Sequence, residues 1–219
     1  MNKKILAILV FCSTLMAEEI WIDDIAALYY GQKILQEASL KAKKLKQDEI
    51  AKLSCLKGSE IFELEDKKLR DDCDAIFVQL KRAYYTKTPF GTKKLPKDKT
   101  KIPLSSFESV ESIKKMYKND ATKLFNAPFE ISLSVPLKRV KVGDRVRFLV
   151  SSFGRPKAGI SITYNKKLVA KSDRYGNASI EMKQDGLQKI TASYSQKADG
   201  IRCDEIVHST TISLEVLRR

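Results

Sequence analysis

The spacing of apolar residues changes at about Pro128. Beyond this point, apolar and polar side chains alternate in short segments separated by Gly, Pro, Asn or Asp, a pattern typical of half-buried β-strands. The segments are FEISLSV, DRVRFLV, AGISITY, NASIEM, QKITASY and TTISLEV, with the short KLVAK as a seventh. They predict a seven-stranded antiparallel β-sandwich of immunoglobulin-like or transthyretin-like type over residues 127–219.

A tight turn is predicted within AKSDRYGNASIEM, residues 170–182, between two of these strands. Gly176 can adopt the positive φ that a tight hairpin needs, because it has no Cβ atom. We therefore interpret this turn as part of the scaffold.

Before Pro128 the apolar residues recur with a period near 3.6, which is typical of helices. One stripe runs over residues 23–53 and a second over residues 64–85. Gly58 and Ser59 supply a stop and a start signal between them. The pattern predicts an antiparallel helical hairpin.

Residues 86–104 contain three prolines and one glycine without a sustained period, which indicates an extended crossing segment. Ser105, followed three positions later by Glu108, forms a capping box for a short helix. The predicted fold class is α+β. It has a helical region over residues 18–126, which includes the crossing segment, followed by the sandwich domain.

The first 17 residues have the layout of a secretory signal peptide. Lys3 and Lys4 precede a twelve-residue apolar run, which is too short to span a bilayer, and Ala17 follows it. We expect cleavage after Ala17, export to the periplasm and a mature chain without a transmembrane segment. A lipid anchor on Cys12 is the alternative, although Phe11 stands where a small residue is needed.

Export would place the remaining cysteines in an oxidising compartment, where disulfides persist. Cys55 and Cys73 are close in sequence within the predicted helical hairpin, so we predict that they are bonded and that Cys203 is not. The chain has no Cys-x-x-Cys motif, which argues against a thioredoxin-like redox role.

Basic residues outnumber acidic ones by 41 to 27, which gives a formal net charge of +14. This charge can attract anionic lipid, polysaccharide or nucleic acid, although scattered lysines are also typical of solvated faces. Export argues against a nucleic-acid partner. Tyr84, Tyr85 and Phe90 lie beside lysines, where they either form a stacking surface for a glycan or an aromatic-rich partner, or fill a gap between packed elements.

The chain contains one histidine, His208, and no motif of a hydrolase, a zinc protease or a phosphate-binding loop. We therefore predict that it is not an enzyme. His208, Asp204, Glu205 and Cys203 lie within a short stretch and offer ligands for a soft or borderline divalent metal ion. The alternative is a polar loop that enters the last strand, with Cys203 packed as a small apolar residue.

The strand motifs GRPKAGISITY, AKSDRYGNASIEM, DGLQKITASY and TTISLEV follow an order similar to that of carboxypeptidase-regulatory-like sandwiches. With VKVGDRVRFLV before them and KADGIRCDEIVHSTTISLEV at the end, residues 128–217 resemble an exported domain-of-unknown-function family. That family is described as an accessory periplasmic component of nickel and cobalt uptake systems. The resemblance implies nickel or cobalt as the metal, and a membrane transporter or another envelope protein as the partner.

Two functional hypotheses follow. The first is a non-catalytic accessory role in nickel or cobalt uptake, and the second is a structural or adhesive interaction module of the cell envelope. Ligands that converge around His208 would favour the first hypothesis. An exposed apolar patch without converging ligands would favour the second.

Overall fold

The described part of the chain is built mainly from β-strands joined by turns and loops. The computed structural model describes residues 20–23, 27–30, 43–44, 46–66, 70 and 72–219. These residues form 17 strands in three sheets, together with two short 3-10 helices, Gln47–Glu49 and Lys97–Lys99. Within the described ranges there is no helix long and apolar enough to cross a membrane.

The strands are numbered in chain order. A small first sheet contains β1 (Ile20–Asp23), β2 (Ala27–Tyr30) and β3 (Lys43–Lys44). The next six are β4 (Ile50–Lys57), β5 (Glu60–Glu63), β6 (Ala75–Leu80), β7 (Ala83–Thr88), β8 (Gly91–Lys93) and β9 (Ser105–Met116). The last eight are β10 (Glu130–Leu133), β11 (Arg145–Ser152), β12 (Arg155–Pro156), β13 (Ser161–Tyr164), β14 (Lys167–Lys171), β15 (Asn177–Glu181), β16 (Gly186–Lys197) and β17 (Glu205–Val216).

Two sheets pack face to face. A four-stranded sheet has β11 between β10 on one edge and β12 and β15 on the other. The ten-stranded sheet has the order β14-β13-β16-β17-β9-β6-β4-β5, with β7 beside β9 and β8 beside β7. Side chains from both sheets form the core, among them Phe129, Ile131, Phe148, Val150, Ile162, Ile190, Ile212 and Leu214. Each of the seven predicted segments contains a strand, so the sandwich-like architecture is confirmed.

The predicted helical region over residues 18–126 is wrong wherever the structure describes it. Residues 64–85 contain β6 and the first half of β7, and the short helix expected after Ser105 is the 12-residue strand β9. The first predicted helix, residues 23–53, lies largely outside the described residues, as does the predicted leader. Its described residues form strands and one 3-10 turn.

The error has a physical cause in strands that are covered on both faces. Almost every residue of β6 is buried, so its AIFV run does not alternate. A short run of this kind looks the same in a buried helix and in a buried strand.

Strand β9 links the first half of the chain to the sandwich. One edge pairs in parallel with β17, from Phe107 opposite Glu205 onward. The other edge pairs with both β6 and β7, which together form one long, interrupted antiparallel partner. The ten-stranded sheet is therefore continuous across residue 127, and the predicted domain boundary there stays a prediction.

A fully buried ion pair joins the two facing sheets. Lys114 Nζ on β9 lies 3.1 Å from Glu130 Oε1 on β10, and neither side chain is exposed. The lysine also donates to Ser132 Oγ, and the Phe125 backbone N–H donates to the glutamate. Burial lowers the pKa of Lys114 and raises the pKa of Glu130. The pair is costly to bury but well hydrogen-bonded, so it ties β9 to the sandwich.

The predicted disulfide between Cys55 and Cys73 is confirmed. Cys55 lies on β4 and Cys73 directly before β6, with 5.6 Å between their Cα atoms. The bond therefore closes a connection between two paired strands instead of a helical hairpin. Cys203 is a buried free thiol, as predicted.

Candidate functional site

His208, the chain's one histidine, packs between aromatic rings. It lies on β17 and stacks on Tyr194 of β16, with ring centroids 4.6 Å apart and an angle of 2° between the planes. Phe129 meets it edge-on at 6.2 Å. Both ring nitrogens are buried and have no hydrogen-bond partner in the described part of the chain. Burial lowers the pKa of His208, and the nearby positive charge of Lys157 lowers it further.

The other predicted ligands are occupied or turned elsewhere. The Asp204 carboxylate accepts hydrogen bonds from Lys97 Nζ and from the Ser106 backbone and hydroxyl groups, and the lysine bond holds the pKa of Asp204 low. Burial raises the pKa of the Cys203 thiol, which disfavours the thiolate that binds metals. Glu205 is half-buried and three positions from His208, so it lies on the opposite face of the strand.

These residues, as placed, do not fit a nickel or cobalt site. No three side chains of His, Cys, Asp or Glu come together to hold a metal ion within the described residues. His208 also faces the positive charges of Lys157 and Arg82, which disfavour a second cation there.

A tight turn lies within residues 170–182 as predicted, but it does not close a hairpin, because the strands on either side of it, β14 and β15, belong to different sheets. Gly176 has a φ of +76°, and the Asp173 carboxylate accepts hydrogen bonds from the backbone N–H groups of Tyr175 and Asn177. A wide, solvent-open polar groove lies beside it, lined in part by Arg147 and these turn residues. The carboxylate in this groove already serves the turn, so the geometry favours a scaffold role.

Exposed apolar side chains gather at one end of the ten-stranded sheet. They are Phe90 at the tip of the β7–β8 hairpin, Ile102 and Leu104 just before β9, and Ile201 just before β17, with 86%, 62%, 61% and 67% of their surface exposed. We call these four residues the apolar end.

Strand register brings these four residues together. Thr88 at the end of β7 pairs with Gly91 of β8, and the backbone N–H of Leu104 donates to Lys87 on the opposite side of β7. Since β9 and β17 run in parallel and Asp204 N–H donates to Ser106, the loop that contains Ile201 lies at the same end.

Backbone and ring contacts hold the loops of the apolar end in place. The Lys97 N–H donates to the Arg202 carbonyl, which joins the segment before β9 to the loop before β17. The Arg202 guanidinium lies 4.5 Å from the centre of the Tyr84 ring, and Tyr85 stacks on Phe107. Of the three aromatic residues singled out in the sequence, two are thus engaged in packing contacts and Phe90 is exposed.

Lysines surround the apolar end. Residues 86–104 contain six lysines and one aspartate. Lys94 pairs with Glu49, and Lys97 pairs with Asp204. The other four, Lys87, Lys93, Lys99 and Lys101, are exposed and make no ion pair within the described ranges. The apolar end therefore has a positively charged rim.

Comparisons of the chain with protein-family models, with curated proteins and with solved structures found no match.

Proposed function

We propose that this chain is a non-catalytic interaction module of the cell envelope, which contacts its partner through the apolar end. The supporting observation is that Phe90, Ile102, Leu104 and Ile201 are all exposed at one end of the sheet. Large apolar side chains that are exposed near one another mark interaction sites in soluble proteins. We also propose that the protein is exported to the periplasm and that its sandwich is of immunoglobulin-like or transthyretin-like type.

Site-specific cross-linking in intact cells tests this proposal. A photoreactive phenylalanine analogue replaces Leu104 in one variant and Leu168 in the other, since both side chains are 61% exposed. Leu168 lies on β14, at the far edge of the ten-stranded sheet, four strands away from β9. Light should produce an adduct with an envelope component from position 104 and none from position 168. Equal adducts from both positions, or none from position 104, would contradict the proposal.

A part in nickel or cobalt uptake is the second proposal. It rests on the resemblance over residues 128–217. Because Asp204 is held by Lys97 and Ser106, we favour docking on a transporter over holding the ion at this histidine. Titration calorimetry with nickel should give the same heats for the wild type and a His208→Ala variant. Saturable binding that the substitution abolishes would instead place the metal at His208.

A further inference from the structure

The apolar end is built from turns and strand ends that project from the sheet. Phe90 follows Pro89 at the hairpin tip, and Gly91 after it has a φ of +115°. Ile102 has a φ of +54°, a conformation that β-branched residues rarely adopt. Such strain persists only where the surrounding chain imposes it. Ile102 and Leu104 both expose their side chains to solvent. An apolar environment would therefore stabilise both side chains.

The charge around the apolar end has one dominant sign. The exposed residues Lys87, Lys93, Lys99 and Lys101 come from the same segment as Phe90, Ile102 and Leu104. Lys94 and Lys97 balance the carboxylates of Glu49 and Asp204. The exposed carboxylates Asp98 and Asp199 are fewer than the four exposed lysines, so the net charge there stays positive. A positive rim around projecting apolar side chains complements a surface that is apolar inside and negatively charged outside.

We infer that the apolar end docks on an anionic lipid surface, an inference that rests on the proposed function and names its partner. Apolar side chains that enter the acyl boundary, with lysines at the level of the headgroups, bind peripheral proteins to anionic membranes. Each lysine near such a surface adds attraction that salt screens. The excess of basic over acidic residues, which remains after the predicted leader is removed, draws the whole chain toward the same surface.

Vesicle sedimentation measures this docking directly. The purified protein is mixed with vesicles of equal parts phosphatidylglycerol and phosphatidylcholine, or of phosphatidylcholine alone. We expect binding to the anionic vesicles, at least about tenfold weaker binding to the neutral ones, and release at 0.5 M salt, where screening is strong. Every variant carries the same N-terminus, so the residues before Ile20 contribute equally to each measurement.

Two pairs of variants separate docking at the apolar end from general attraction. Phe90→Ser with Leu104→Ser should weaken binding about tenfold or more, whereas Leu168→Ser should leave it unchanged. Replacing the four rim lysines by glutamine should weaken binding similarly. The charge-matched control replaces four exposed lysines elsewhere, namely Lys138, Lys141, Lys166 and Lys167. Circular dichroism confirms that each variant is folded.

The outcomes distinguish this inference from the proposed function. If the control variants lose as much binding as the apolar-end variants do, the attraction is a general effect of charge and the inference is overturned. Equal binding to neutral vesicles, or no binding to anionic ones, would also overturn it. If position 104 cross-links to an envelope protein while vesicles are not bound, the interaction module stands and its lipid partner does not.

Discussion

At His208, burial and charge act in the same direction on the imidazole. Burial lowers its pKa first, and the positive charges of Lys157 and Arg82 add to the effect, while Glu108 opposes it. The neutral ring stacks on Tyr194. Lys157 Nζ lies 4.0 Å from the centre of the same tyrosine ring and makes a cation–π contact with it. The histidine therefore acts as a neutral aromatic packing residue in this fold.

Mild acid should destabilise the folded protein through His208. As the pH falls, the unfolded chain takes up a proton at the ordinary histidine pKa of about 6.5, whereas the folded chain resists protonation until its lowered pKa. The free energy of unfolding should therefore fall from about pH 7 downward until the folded pKa is passed. Urea unfolding at several pH values between 8 and 5 measures this change.

A His208→Phe variant is the control for this pH dependence. It keeps an aromatic ring against Tyr194 and removes two buried nitrogens that lack partners. At pH 8 its stability should equal that of the wild type or exceed it by about 1 kcal/mol. Below pH 7 it should lose less stability than the wild type does. Parallel curves for the two proteins would show that another group causes the pH dependence.

Some features of individual residues could be predicted from their neighbours in the sequence, and others could not. The Cys55–Cys73 pair could be predicted because a short separation favours pairing whether the intervening chain is helical or extended. The surroundings of His208 could not. Tyr194 comes from β16 and Phe129 from the chain just before β10, and nothing near His208 in the sequence specifies either neighbour.

Among the elements, prediction succeeded where polar and apolar residues alternate along a strand. In β15 buried residues alternate with more exposed ones, so the period of two is visible in the sequence. β9 carries buried polar residues that are satisfied by other strands, such as Ser112 by Thr210 of the neighbouring β17 and Lys114 by Glu130 of the facing sheet. These polar side chains interrupt the apolar pattern of the strand. The sequence around β9 does not show the distant partners that allow their burial.

The turn that connects β14 to β15, which lie in different sheets, offers a test of a glycine that the fold requires. Gly176 and Gly186 have nearly equal φ values, +76° and +80°. A Cβ atom at position 176 would lie 2.6 Å from the Val150 carbonyl oxygen, whereas one at position 186 would have no neighbour within 4 Å. Alanine at 186 should cost about 1 kcal/mol for the left-handed conformation, and alanine at 176 roughly 3 kcal/mol because the clash adds to it.

Urea unfolding of the two alanine variants measures the difference between these positions. The Val150 carbonyl accepts a hydrogen bond from the Lys157 N–H, and the Val150 N–H donates to the Gly176 carbonyl, so the Val150 oxygen cannot move away cheaply. Equal losses at both positions would show that backbone conformation alone makes glycine necessary at 176.

In the molecule as a whole, β9 joins the sandwich, whose strands could be predicted from the sequence, to the part of the chain before it, whose strands could not. The sandwich strands could be identified from their alternation, but the parallel pairing of β9 with β17 joins residues about a hundred positions apart. Lys114 on β9 also neutralises Glu130 inside the sandwich. A division of the chain at residue 127 would therefore separate β9 from β17 and Lys114 from Glu130.

A fragment of residues 127–219 tests that boundary. We expect a β-rich circular dichroism spectrum, because its seven main strands keep their turns and most of their core. We also expect self-association, since removing β9 exposes one edge of the 12-residue strand β17, and an open edge pairs with other chains. Glu130 would also be left without its lysine, which lowers the stability further.

Analytical ultracentrifugation of the fragment, with and without a peptide that spans Ser105–Met116, measures this self-association. The peptide supplies β9, so it should cover the edge of β17, provide Lys114 to Glu130 and return the fragment toward a monomer. A peptide in which glutamine replaces Lys114 should act more weakly, because it can fill the edge without neutralising the buried carboxyl group. A fragment that is monomeric alone and as stable as the full chain would show that the sandwich is an independent domain that does not need β9.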